Sequence, residues 1–410
     1  MELLNYMKRE VRFNINNILI YIEIMIMIWL SGTVISAVQP DSLLYNIARM
    51  IFLLISCYFA IKAILYKVNY LSYVLIFICI FAIYFCINLF LYPASSFNLF
   101  YRCIIFLLLF LNFFYWNKKK INYNEVLYKI VIVIAIVSLL FYVLVNVLKI
   151  NIPYTIITGD SNVPYYNYYG IYYFYGNPNK LIRLSGLFWE PGVYQIYLNM
   201  ALFYYIISLR KNIKELILLL INIILTFSTT GMVLASLLLA YMFLYSSKIS
   251  LRNKIIITIP ILSIVLFVIF TVVGQKIEMT ASGGSFYIRS LDLQLGLKIF
   301  KEHFLLGAGF LNTDIFKSLN TYNLTGPKGS SNGFITWCYT TGLLGIVFAF
   351  IPFIKHSMAI HKKKEKIENI MFIILIFVFN NSEPIYQLPL MIYILAAEYY
   401  MAIIGKGEVY

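Results

Sequence analysis

The chain has 410 residues, of which 62% are hydrophobic and only 12% charged, with a formal net charge of +15. That charged share is about half the usual one for a soluble protein. Apolar runs of about 20 residues recur from end to end, long enough to cross the hydrocarbon core of a bilayer. A soluble core is excluded, and the composition predicts an all-α polytopic membrane protein forming one integral membrane domain over residues 1–410.

Taken in chain order, hydrophobic spans are expected over Ile15–Val38, Leu44–Leu65, Tyr70–Tyr92, Asn98–Trp116, Leu127–Leu148, Val193–Leu209, Glu215–Phe227, Gly231–Tyr245, Ile255–Val273, Gly333–Ile354, Ile367–Phe379 and Leu388–Met401, about 12 transmembrane helices in all. The opening "MELLNYMKREVRFNINN" is basic. The apolar segment after it is of full spanning length and lacks a small-residue cleavage site, so no signal peptide is expected. "STTG" at Ser228–Gly231 is taken as a turn between two shorter helices, because one long helix would put the later basic clusters on the wrong side. Cys57, Cys79, Cys86, Cys103 and Cys338 lie in apolar segments without a CxxC pair, and no metal or disulfide role is expected of them.

The basic clusters are Lys8/Arg9/Arg12, Lys62/Lys67, Lys118–Lys120 with Lys129, Arg210/Lys211/Lys214, Lys248/Arg252/Lys254 and Lys355 through Lys366. With twelve spans and a cytoplasmic N-terminus, every cluster falls on the cytoplasmic side, and both termini are cytoplasmic. Together with Lys406 they hold 21 of the 32 Lys and Arg residues. The positive charge is thus mostly a topology signal, and a nucleic-acid partner is excluded.

Two long segments are left outside, at 151–192 and 274–332. Long loops in a compact membrane protein are usually functional, so the chemistry is expected at the outer face, beneath these two loops. The first is rich in Tyr, Asn, Gly and Pro, a composition that suits the stacking and hydrogen bonding of a sugar and also suits an interfacial aromatic belt. The second contains "SLDLQLGLKIFKEHF", whose Leu291, Leu295, Ile299 and Leu306 spacing predicts an amphipathic helix lying on the membrane surface and carrying Lys298 and His303.

Charged residues outside the inner clusters are the candidates for chemistry. Arg183 and Arg289 come from separate outer loops, and a planar guanidinium fork suits a pyrophosphate; snorkelling to lipid phosphates is the structural alternative. Glu190 precedes Pro191 in "RLSGLFWEPGVYQIYLNM". Its carboxylate suits either a helix N-terminus or proton transfer at a cavity floor. Tyr194 and Tyr197 share its helical face, whereas Gln195 and Asn199 form a polar stripe expected to hold helices together. Glu23, a lone acid within a span, suits helix packing as well as ion coupling. No repeat relates the two halves, which argues against a lipid-linked oligosaccharide flippase, the main alternative class.

Four segments in order are similar to one family. "RLSGLFWEP" resembles the R-x-[ST]-G-[LI]-F-x-[EN]-P element of the O-antigen ligase and Wzy-type polymerase superfamily, and "LTFSTTGMVLASLLL" its next hairpin. "RSLDLQLGLKIFKEHFLLGAGF" resembles its R…hP-x-x-G-x-G segment, and "SSNGFITWCYTTGLLGIVFAF" its His-Asn segment. The resemblance covers about Arg183 to Phe350. It implies a glycosyltransferase of GT-C-like architecture in a bacterial plasma membrane, moving a glycan from undecaprenyl pyrophosphate to an acceptor sugar hydroxyl, with no cofactor and no metal.

In the polymerase the acceptor is a second lipid-linked repeat unit, for capsule, exopolysaccharide or O-antigen; in the ligase it is the lipopolysaccharide core. Membrane lipids, a chain-length regulator and a flippase are the implied partners. On this reading Arg183 and Arg289 hold the departing pyrophosphate, and Gly186, Gly307 and Gly309 let backbone approach the ligand. Tyr194, Lys298 and Asn332 are the further substrate contacts. The family's His-Asn pair is here Ser331-Asn332, which favours polymerase over ligase. The general base stays open between Glu190, His303 and Glu383, the last in "NNSEPIYQ".

Overall fold

A chain that enters lipid must satisfy its own backbone hydrogen bonds, and a helix does so within one segment. The computed structural model describes residues 15–66, 71–158, 164–175, 182–245, 285–320, 330 and 332–404. Its helices are α1 (Ile15–Leu30), α2 (Val34–Val38), α3 (Leu43–Leu65), α4 (Leu71–Leu91), α5 (Pro93–Lys118), α6 (Tyr123–Tyr142, continuing as a wider π-helical turn over Val143–Val147), α7 (Pro191–Ile207), α8 (Ile213–Leu225), α9 (Thr229–Tyr245), α10 (Ser285–Glu302), α11 (Asp314–Leu319), α12 (Gly333–Ala359), α13 (Lys363–Ser382) and α14 (Pro389–Ile404). Among the described residues, five stretches are long and apolar enough to cross a membrane: Leu43–Leu65, Ser72–Leu91, Ser96–Lys118, Tyr123–Val147 and Gly333–Ala359. With the shorter apolar helices they make the chain a mostly helical, polytopic membrane protein.

Each expected span within the described residues coincides with a helix; Ile255–Val273 lies outside them. The first span stops early, at Leu30, because Gly32 takes a positive φ of 104° and Thr33 starts the separate α2. The turn at Ser228 holds: α8 and α9 are distinct.

Apolar contact among helices is supplemented by polar ties, which lipid cannot replace. Glu23 is buried and its Oε1 accepts from Ser56 Oγ (2.6 Å) and Asn112 Nδ2 (2.9 Å), joining α1, α3 and α5. That is a helix-packing role. Asn199 donates to Gln195 Oε1 (3.0 Å) and to the Gly231 carbonyl (3.3 Å), so the predicted polar stripe joins α7 to α9. At the basic end, Arg210 meets Glu125 (2.9 Å) and Glu215 (3.7 Å) and lies over the Tyr128 ring, tying α6, α7 and α8.

The segment 151–192 departs from an all-α reading. It folds into an antiparallel sheet, β1 (Thr155–Thr158), β2 (Pro164–Tyr168) and β3 (Tyr172–Tyr175), in that order. Aromatic residues favour strands, and Tyr169 and Gly170 both take the positive φ that tight hairpins need. Tyr165 and Tyr173 are buried against Val34 and Ile35 of α2. Tyr154, Tyr166 and Phe174 form a row of rings on the sheet, at 4.9 and 5.9 Å.

Nor does α10 simply lie on a membrane surface. Its Gly296 fits against Ile335 of α12, and Ile299 joins Ala308, Phe316 and Tyr339 in a small core of its own. Leu293, Leu297 and Lys298 remain on the exposed face.

A break in α12 at Gly342 (φ 66°) frees backbone groups that would be costly if unpaired in an apolar setting. The turn after α10 takes them up. Leu343 N donates to Phe304 O (2.8 Å), Leu344 N to Leu305 O (3.2 Å), and Ala308 N to Tyr339 O (2.7 Å). Gly307 (φ 75°) stands where any Cβ would strike the Thr340 backbone. Gly307→Ala should therefore destabilise the protein by about 2 kcal/mol or more. A thermal melt in detergent several degrees below that of the unsubstituted protein is expected, and an unchanged melt would show that this plug does not hold the break.

Candidate functional site

The site grows from the strap 183–190. Leu184 N donates to Leu225 O (2.9 Å) and Val34 N to Leu187 O (3.1 Å). Trp189 N donates to Gly32 O (3.2 Å), and Tyr173 N to Gly186 O (2.9 Å). The strap is thus pinned to α8, to the α1–α2 turn and to β3. Phe188 is fully buried and stacks on Tyr194 and Tyr197 at 5.5 and 4.5 Å. The chain then enters α7 at Pro191, where a missing N–H costs nothing.

Glu190 occupies the N-cap position of α7 but its side chain makes no capping hydrogen bond. The purely structural account of this carboxylate therefore loses its main contact. The group is open to solvent on one side and hemmed in by protein on most others.

Arg183 points at the end of α8. Its Nε donates to Thr226 O (2.8 Å) and Nη2 to Phe227 O (3.4 Å). Arg289, from the first half of α10, reaches the end of α13, where Nη2 donates to Ser382 O (3.2 Å). The next residue is Glu383, buried at 7% exposure. Its carboxyl packs directly on Gly192 in the first turn of α7, where any side chain would displace it. Gly333, opening α12, packs equally closely on the backbone of Glu383 and Pro384.

Four helix ends therefore converge with four charged residues. The N-termini of α7 and α12 bring positive dipole ends. The C-termini of α8 and α13 hold the arginines. A hydrogen bond to a charged group contributes about 1.5–3 kcal/mol, against about 0–1 kcal/mol for an exposed ion pair, so the carbonyls suffice as anchors. Among the described residues neither arginine closes an ion pair with Glu190 or Glu383.

Electrostatics couple the four. Burial pushes the Glu383 carboxyl above the usual carboxylate range, Glu190 pushes it further, and Arg289 and Arg183 oppose. Glu190 is likewise raised, by burial, against Arg183 and Arg289. Two carboxyls facing each other in a half-desolvated site resist losing both protons. The arrangement offers a doubly cationic surface for an anion, with a proton acceptor beside it.

The structure thus brings together Arg183, Glu190, Arg289 and Glu383, with Asn332 one residue from Gly333. The Asn332 side chain caps α12, accepting from Ile335 N (3.1 Å). Other expected residues lie elsewhere. Tyr194 is fully buried and gives its hydroxyl to Asn222 (3.0 Å), so it faces the core and no cavity. His303 lies just past the far end of α10, about 20 Å along the axis from Arg289 at the rise of an α-helix. Lys298 is on that helix's exposed face.

The three glycines do allow close approach, but to protein: Gly186 to Ser138, Gly307 to the broken α12, and Gly309 to the Tyr92 ring. Gly192 was missed, although a glycine directly after Glu-Pro at a helix start was a visible signal. Two cavities lie away from this cluster. One is beside Tyr204, His356 and Glu398, and the other is beside Lys119, Lys120 and Lys129.

Against known proteins, no curated sequence matches the chain. A family model does match, over residues 216–350, about a third of the length. This stretch runs from α8 through most of α12; it contains Arg289 and stops short of Arg183, Glu190 and Glu383. The motifs that resemble the O-antigen ligase and Wzy-type superfamily fall largely within it, and residues 216–350 match the O-antigen ligase family model.

Proposed function

We propose that the protein is a polymerase of lipid-linked oligosaccharide repeat units. It transfers a glycan from undecaprenyl pyrophosphate to a sugar hydroxyl of a second lipid-linked unit, at the outer face of a bacterial plasma membrane. On this reading the chain crosses the membrane twelve times with both termini cytoplasmic, and the four-residue cluster then belongs to that face. The observation that carries the reading is the convergence of Arg183 and Arg289, each held by a backbone carbonyl, on the paired carboxyls of Glu190 and Glu383.

In this mechanism the donor pyrophosphate lies between the two guanidiniums, near the N-termini of α7 and α12. The acceptor hydroxyl attacks the anomeric carbon, the bond from that carbon to the phosphate oxygen breaks, and the electron pair leaves with the lipid pyrophosphate. Glu190 takes the hydroxyl proton, since its carboxylate is the open one of the pair. Glu383, packed on Gly192, positions Glu190 and keeps a proton of its own. Preorganised donors aimed at growing charge are the largest expected contribution. The family match leaves the ligase as the second reading. Ser331 in place of the family's histidine favours the polymerase.

Arg183→Ala and Arg289→Ala, made in cells at normal membrane abundance, should each lower transfer by about 10²–10³-fold. Single repeat units should then accumulate on the lipid carrier at the outer leaflet, seen as loss of the glycan ladder on a gel. Accumulation on the inner leaflet would instead identify a flippase, and an unchanged ladder would reduce the arginines to lipid anchors.

The second expectation concerns pH. A raised carboxyl reaches its ionised, proton-accepting form only above the ordinary 4.5, so transfer by the protein in nanodiscs should climb with pH through a midpoint above that value. Glu190→Gln should lower the rate by about 10²–10⁴-fold and abolish the climb. A variant that keeps both rate and profile would remove Glu190 from the chemistry.

A further inference from the structure

Two arginines lie inside helices, away from every basic cluster and from the site above. Arg49 is about 9 Å into α3 and Arg102 about 13 Å into α5, counted from each helix start. Both starts are at the end where Arg183 and Glu383 converge. The α1–α2 turn, just before α3, bridges to Phe188 at Thr33. Tyr92, just before α5, donates to Gly307 O (3.1 Å).

The two guanidiniums share one aromatic ring. Arg49 Cζ lies 4.2 Å from the Tyr101 ring centroid and Arg102 Cζ 5.4 Å from it. Arg49 also lies 5.7 Å from the Tyr45 ring. Tyr45, Tyr101, Arg49 and Tyr386 all act electrostatically on Arg102, and no carboxylate is among them. The Arg102 Nε and the Tyr101 hydroxyl are both buried with no hydrogen-bond partner among the described residues.

Aromatic faces attract a cation but do not satisfy its N–H groups. Among the described residues no acid joins these two half-buried like charges, which leaves the site short of an anion. Tyr386, which acts electrostatically on Arg102, is buried, accepts from Thr340 Oγ1 (3.4 Å), and follows Glu383 by three residues in one short turn.

We infer that Arg49 and Arg102, with Tyr45 and Tyr101, form a second anion site that takes the phosphate group of a second lipid-linked glycan. This rests on the polymerase reading, in which both substrates carry a lipid phosphate and need separate cationic seats.

Native mass spectrometry of the full chain in detergent, with geranylgeranyl pyrophosphate as probe, tests it directly. Two copies should bind the unsubstituted protein. Arg102→Gln and Arg49→Gln should each weaken one copy at least tenfold, and Arg183→Ala should remove the other. Arg49 is only half-buried, so Arg49→Gln decides the matter if Arg102→Gln fails to fold.

A single copy on the unsubstituted protein, or two copies on both glutamine variants, overturns the second site. If Arg183→Ala still loses a copy in that case, the proposed donor site stands. Loss in the glutamine variants with none in Arg183→Ala overturns the donor site instead. Phosphatidylglycerol displacing the second copy as readily as the probe itself would mark a seat for bulk anionic lipid and overturn the substrate assignment.

Discussion

The fit of the Glu383–Pro384 turn between two helix N-termini is the contact on which the site depends. Gly192 meets the Glu383 carboxyl and Gly333 meets the backbone beside it, each with no room for a Cβ. The turn is also where α13 ends, so its Ser382 carbonyl is free to hold Arg289. One short turn thereby fixes the relative position of α7, α10, α12 and α13. Move it and both carboxyls and one arginine move together.

A second constraint follows from the first. Helix α10 has to be held rigidly for Arg289 to reach Ser382, yet its sequence is amphipathic and its outer face carries Leu293, Leu297 and Lys298. The hold comes from the broken helix α12. Its interrupted ladder at Gly342 exposes backbone groups that the turn 304–308 satisfies, and Gly296 lets α10 lie close upon Ile335. A helix defect is thus converted into an anchor, and the glycines around it serve protein packing.

Much of this was legible in the sequence because hydrophobic length and charge placement are strong, local signals. Within the described residues helices stand where apolar runs predict them; Arg183, Glu190 and Arg289 stand out as charges outside the inner basic clusters, and Glu383 enters as a general-base candidate beside the family resemblance. What could not be read was three-dimensional. Tyr194 shares a helical face with Glu190, but helical spacing does not tell which face meets a cavity, and Asn222 claims its hydroxyl. His303 lies near Arg289 in sequence, but a continuous helix separates them. The tyrosines of 151–192 were read by composition, which does not reveal that two aromatic runs and a Tyr-Gly turn pair into a sheet. Arg49 and Arg102 were hidden because each sits inside a span whose hydropathy dominates its neighbourhood.

The two arginine pairs use the same physical device. An arginine paired closely with a carboxylate has its charge cancelled, and a ligand anion must then break that pair before it binds. Here the guanidiniums are positioned by groups that bear no net charge: the Thr226, Phe227 and Ser382 carbonyls in one case, the Tyr45 and Tyr101 rings in the other. Neutral anchors fix the geometry and leave the field intact. The acids nearest the first pair, Glu190 and Glu383, are pushed toward their protonated forms by burial, and Glu383 further by Glu190, so they cancel less of that field than their number suggests. Ion pairs of Arg183 and Arg289 with those acids would cancel the field; among the described residues they are not closed, as the proposed anion sites require.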